Sequence, residues 1–253
     1  MRQQSNRQQG FGLVELMISM LIGLFLLSGM LTVFITNKQA YQYQQSQGNQ
    51  HDHERLANIL FGHVLREAGH TPMNFKSLSG KNIALPAVSP FTSNGQAITG
   101  TSGNHNVTYR IKSGDVTDAF SNDTLTIRYI GDTGIQSCLG ADVPLDENRT
   151  EKFELNNNVL RCVSSDGTTT QTLNLIGDVN APPNQQLKVL GLKVSYGIDT
   201  DGDGSIDLYK RATDVADWLS VSSVDLEIVF QSGLRRPQTN HFATELPNIS
   251  GFI

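Results

Sequence analysis

The sequence predicts an α+β chain: a long N-terminal helix, membrane-spanning in its first half and amphipathic in its second, packed on an antiparallel β-sheet head. Three observations carry this. From Phe11 to Ile35 the only charged residue is Glu15. The polar stretch that follows remains compatible with helix as far as Ala68. Beyond residue 105 the chain breaks into short runs in which apolar and polar residues alternate.

The apolar run comes first. Its roughly 25 residues, at about 1.5 Å each, exceed a hydrocarbon core of about 30 Å. Arg2 and Arg7 precede it with no acidic residue among the first ten, a bias that holds the N-terminus in the cytoplasm and sends the rest across. The run passes into "TVFITNKQAYQYQQ" with no small-x-small cleavage site, so the span is expected to be retained.

The second half of the helix follows. Leu56, Ile59, Leu60, Val64 and Leu65 lie near helical spacing and form an apolar stripe. Gly48 is the expected place for a bend or local melting, and Gly69 with Pro72 marks the end. A helix from Phe11 to Ala68 would be roughly 85 Å long. Phe61 and Tyr41 read as packing residues.

Residues 72 to 105, rich in Gly, Pro, Ser, Thr and Asn, read as a long surface connection. The strand candidates are "NVTYRI", "DTLTIRYI", "KFEL", "NVLRCV", "TQTLNLI", "LKVLGLKVSYGI" and "SSVDLEIVF". In the last, Val224, Leu226, Ile228 and Phe230 share one face, opposite Asp225 and Glu227, as in a half-buried strand.

Composition narrows the function. The 253 residues carry a net charge of −5. Without the first ten residues, 17 basic stand against 24 acidic residues, or −7. Such a domain has no electrostatic footprint for nucleic acid. Two cysteines, Cys138 and Cys162, follow the export signal, and the even count favours one disulfide, worth roughly 3 kcal/mol. Zinc is the competing use, but the paired spacing of zinc sites is missing. No P-loop, G-x-S-x-G or H-E-x-x-H motif occurs, and no enzymatic activity is indicated.

Glu15 needs an explanation. A carboxylate facing lipid costs roughly 2.5–3.5 kcal/mol, and such residues are usually paired. No basic residue within the span can pair with it, and Lys38 lies about 35 Å further along. A shallow position within reach of headgroups is the alternative.

The stretch "GFGLVEL" resembles the class III signal of type IV prepilins. The resemblance implies cleavage after Gly10 by a prepilin peptidase and methylation of Phe11 as the new N-terminal residue. It also implies that Glu15 meets the N-terminal amine of a neighbouring subunit in the filament. Further on, "CLG" at Cys138, "LRC" at Cys162, "YGIDTDGDG" from Tyr196 and "WLSV" at Trp218 follow one another as in PilW-like minor pilins. What this implies is a pilin fold, with leader 1–10, transmembrane and assembly helix 11–35, amphipathic helix 36–70 and periplasmic head 71–253. It further implies an inner-membrane subunit that joins other minor and major pilins and the inner-membrane assembly machinery, priming growth of the pilus, serving twitching motility and sitting at the tip. A J-like minor pseudopilin of a type II secretion system and a tip adhesin are the alternatives. Ser19, Gly23 and Gly29 would allow close helix approach, or are ordinary small residues of a span.

The loop "DTDGDGSIDLYK" matches the first nine positions of a calcium loop: Asp199, Asp201, Asp203, the carbonyl of Ser205, and Asp207, with Gly204 at the turn. Lys210 stands where a bidentate glutamate would be expected. A structural calcium ion is one expectation, and an Asp/Gly-rich hairpin turn is the other. His51, His53 and His63 read as solvated histidines. Sequons at Asn106, Asn122, Asn148 and Asn248 carry no weight behind a bacterial signal, and the tail from Arg235 is unassigned.

Overall fold

Helix α1 runs from Leu13 to Glu67 in the computed structural model, which describes residues 12–72, 85–111, 113–182, 186–233 and 237–245. Contacts divide the chain into two units, Met1–Gly48 and Asn49–Ile253. The last turns of α1 therefore belong with the strands, and the first turns form a unit of their own.

In the first unit every large apolar side chain from Leu13 to Ile35 is more than half exposed. The most apolar window has a mean hydropathy of 2.4 and is 0 % buried. A helix apolar all round is stable only where lipid or another chain surrounds it. Gly48 is helical, so the expected melting there does not occur.

In the second unit the helix buries Ala57, Phe61, Val64, Leu65 and Ala68. Leu56 and Ile59, expected in that stripe, are instead 46 % and 61 % exposed. The buried stripe is turned by one residue, because the small Ala57 and Ala68 let the helix approach the strands while Phe61 meets Phe153 with ring centroids 5.0 Å apart. Tyr41, read as a packing residue, is exposed. Gly69 ends the helix in the left-handed region at φ 81° and donates its N–H to Arg128 O at 2.9 Å.

Eleven strands follow among the described residues: β1 (Ile98–Thr101), β2 (Asn104–Ile111), β3 (Gly114–Ser121), β4 (Thr124–Ile130), β5 (Asn148–Asn156), β6 (Val159–Ser165), β7 (Thr170–Ile176), β8 (Leu187–Ile198), β9 (Leu208–Lys210), β10 (Val221–Ser232) and β11 (Gln238–Glu245). All strand pairings within the sheets are antiparallel. They form a five-stranded sheet in the order β1-β4-β5-β6-β7, a four-stranded sheet in the order β11-β10-β8-β9, and the hairpin β2-β3. The seven expected strands are present. β1 lies inside the stretch read as a surface connection, and β11 forms in the unassigned tail.

The main core joins the helix stripe to Leu125, Ile127 and Phe153 of one sheet and to Val194, Leu226 and Ile228 of the other. A smaller cluster seats the hairpin, through Val107, Tyr109 and Ile111, on Leu190. Between the sheets lies Asp123, fully buried. It accepts from Gly103 N and Val194 N, both at 2.9 Å, and from the Arg211 guanidinium.

Candidate functional site

The residues singled out by sequence fall in three places. Gly10 and Phe11 lie outside the described residues. Glu15 sits in the first turn of α1, and its backbone N–H bonds Gly12 O at 3.0 Å. The N-terminus of a helix favours a carboxylate, yet among the described residues no cation pairs with this one. It stands on an exposed apolar helix with no cation beside it among the described residues. A Cβ added at Gly23 or Gly29 would meet nothing within 4 Å, so no contact among the described residues requires a glycine at either position.

Cys138 and Cys162 form a disulfide that links the loop after β4 to β6, across a sequence separation of 24. Cys162 is fully buried and Cys138 nearly so. Next to them is a group sequence reasoning missed. Glu151 on β5, fully buried, accepts from Cys138 N at 2.7 Å and Tyr129 Oη at 2.9 Å. Burial raises its pKa, against the pull of these donors and Arg149. Glu67, at the end of α1, is pushed up to about 7, first by burial and then by the charge of Glu151. Tyr129 is raised as well, by burial and by Glu151. One Oε2 of each glutamate is buried without a hydrogen-bond partner among the described residues. Glu67 and Glu151 are 84 positions apart and belong to different pattern types, a helix end and a strand, so no local signal joins them.

The acidic loop connects β8 to β9, with Ile198 paired to Leu208. Gly202 and Gly204 occupy the left-handed region at φ 77° and 88°, which glycine alone adopts without strain. Single carboxylate oxygens of Asp199, Asp201 and Asp207 lie within 4.8 Å of one another. Asp203 is not part of that set. The Asp203 side chain accepts from Ser205 N at 2.7 Å instead. Asp199 accepts from Gly202 N at 2.7 Å and Gly204 N at 2.9 Å, and Asp207 from Thr200 N at 2.8 Å. The Thr200 hydroxyl and N–H hold the Asp207 carboxyl below its ordinary pKa. The loop thus has the local bonds of a hairpin turn and, within them, three converging oxygens suited to a hard cation.

The histidines do not converge. His51 faces Glu54 at 3.2 Å and His63 faces Glu67 at 3.3 Å. His53, read as solvated, has its Nδ1 buried. Among the described residues no metal-ligand group includes a histidine.

Two family models match the chain at opposite ends. Residues 5–31 match the prokaryotic N-terminal methylation motif, and residues 149–246 match the type IV pilus-assembly protein W. No curated relative matches. Among solved structures, a type IV-like pilin from Thermus thermophilus is 13% identical, with 79% of this chain and 98% of that one covered, at a TM-score of 0.44.

Proposed function

We propose that this chain, a type IV pilin-like protein with a PilW domain, is a minor pilin that takes part in assembling the type IV pilus. It waits in the inner membrane on the segment Leu13–Ile35 with its strand-rich unit in the periplasm, then joins other pilins to prime the filament and remain at its tip. The observation that carries this is the carboxylate of Glu15, without a cation partner among the described residues, on an exposed apolar helix. An orphan anion in a low-dielectric setting gains most when a cation arrives from another molecule. In a bundle of such helices that cation is a neighbour's N-terminal amine, freed when the peptidase cuts after Gly10.

The test is intact mass and N-terminal analysis of the membrane-extracted protein. A chain beginning at methylated Phe11 is expected. A chain that begins at Met1 or beyond Ile35 overturns the proposal. Gene deletion then separates pilus from secretion: loss of surface pili and twitching fits a minor pilin, and loss of exoprotein release fits a J-like pseudopilin.

The acidic loop has a structural part in this proposal. Asp199, Asp201 and Asp207 would hold one calcium ion and stiffen the β8–β9 turn, with no role in catalysis.

A further inference from the structure

Strand β11 is the edge of the four-stranded sheet. One side pairs with β10, from Ser223↔Glu245 to Phe230↔Gln238, and the other carries no strand among the described residues. An open groove of about 500 Å³ lies between β11 and α1. Thr239, Asn240, His241 and Phe242, four consecutive strand residues, line one wall. Successive side chains of a strand point to opposite faces, so four in a row share a cavity only where it opens on the backbone edge. On an edge strand the N–H and C=O groups that do not bond the neighbouring strand point to the free side. The other wall is α1, through His51, Glu54, Arg55 and Asn58, whose spacing puts them on one helix face. Gln50, buried, donates to Gln238 Oε1 at 2.5 Å and ties the two walls together at one end.

An edge of unpaired backbone groups selects an extended polypeptide, because only another strand presents N–H and C=O at the matching repeat. The side chains narrow the choice. The chain as a whole is acidic at −5, yet this groove carries Arg55, His51 and His241. Its one carboxylate, Glu54, is already held by His51 at 3.2 Å and Gln50 at 2.9 Å. Arg55 is exposed and has no carboxylate within ion-pair distance among the described residues.

We propose that the groove between α1 and the free edge of β11 receives an extended, carboxylate-bearing segment of a partner protein, added to the sheet as a fifth strand. The inference goes beyond the filament reading and names where on the head a partner is bound and by what chemistry.

The test uses the full chain at native level in the bacterium that makes it, with the photoreactive residue p-benzoylphenylalanine at Asn240 or, separately, at Asn58. Both positions are expected to link to the same extended segment of one partner, with an Asp or Glu beside the linked residue. Arg55→Glu should lower the yield at Asn240 about fivefold, as reversal of one exposed charge contact does, while Arg55→Lys preserves it. An intact Cys138–Cys162 bond and an undiminished protein level certify folding of each variant. The proposal is overturned by an absence of protein adducts in the folded chain, by adducts only to lipid or to a partner's helix, or by adducts to residues 246–253 of the same chain. A yield indifferent to Arg55→Glu overturns it equally. Entry into pili is scored on the same cells, so a chain that enters pili without an adduct refutes the groove and leaves the filament reading standing.

Discussion

Asp123 and Arg211, 88 positions apart, form an ion pair in which the carboxylate is fully buried and the guanidinium one-third exposed. The same carboxylate takes N–H groups from Gly103 and Val194, so it ties the start of β4 to β8 and to the loop after β9. Asp123→Ala is expected to cost about 3 kcal/mol, since three charge-assisted bonds go and two backbone donors are left buried. Urea unfolding of the detergent-solubilised chain measures this. A loss under about 1 kcal/mol would show that water replaces the carboxylate.

Stability should fall as pH rises. Glu67, ordinarily at 4.5, sits at about 7 in the folded chain because burial and the Glu151 charge disfavour its ionised form. His63 lies 3.3 Å from Glu67, and the backbone N–H of Gln136 on Glu67 and Arg149 near Glu151 moderate the effect. A raised carboxyl pKa contributes stability that is complete below about 4.5 and gone once pH passes about 7. Melting temperature should therefore drop between those limits, and Glu67→Gln should flatten the profile. An unchanged slope in that variant would mean another group is responsible.

Glu15→Gln keeps the shape and removes the charge. If Glu15 meets a neighbour's amine, the variant should insert in the membrane at normal levels and fail to enter pili. Immunoblots of sheared pili and of membranes measure the two separately. Normal entry into pili would remove the role assigned to Glu15.

For the acidic loop, calorimetry with calcium on the full chain in detergent should give one site, lost in Asp201→Ala and kept in Asp203→Ala, because Asp203 is outside the converging set. No heat, or identical titrations for all three proteins, would leave the loop as a hairpin turn.

Patterns that repeat every few residues were legible. The apolar half of the helix, its polar continuation, the seven alternating strands and the Gly-rich turn between β8 and β9 all rest on neighbours in sequence. β11 was not, because "QTNHFATE" lacks alternation of apolar and polar residues and is a strand chiefly through its pairing with β10. The tilt of the buried helix face was also missed. Leu56 and Ile59 satisfy the same periodicity as Val64 and Leu65, and only the strands opposite decide which side is covered.

The amino-acid order alone therefore determined an α+β chain with a lone carboxylate at the start of an apolar helix, since helical and strand periods act over a few residues. Only the tertiary structure decided that Glu67 faces Glu151, that Asp123 holds Arg211, and that β11 has an edge beside Arg55 left unpaired among the described residues. Those relationships join segments from 84 to about 190 positions apart, and no local spacing specifies them: they follow from how the sheets stack on the helix and which polar groups are then left inside.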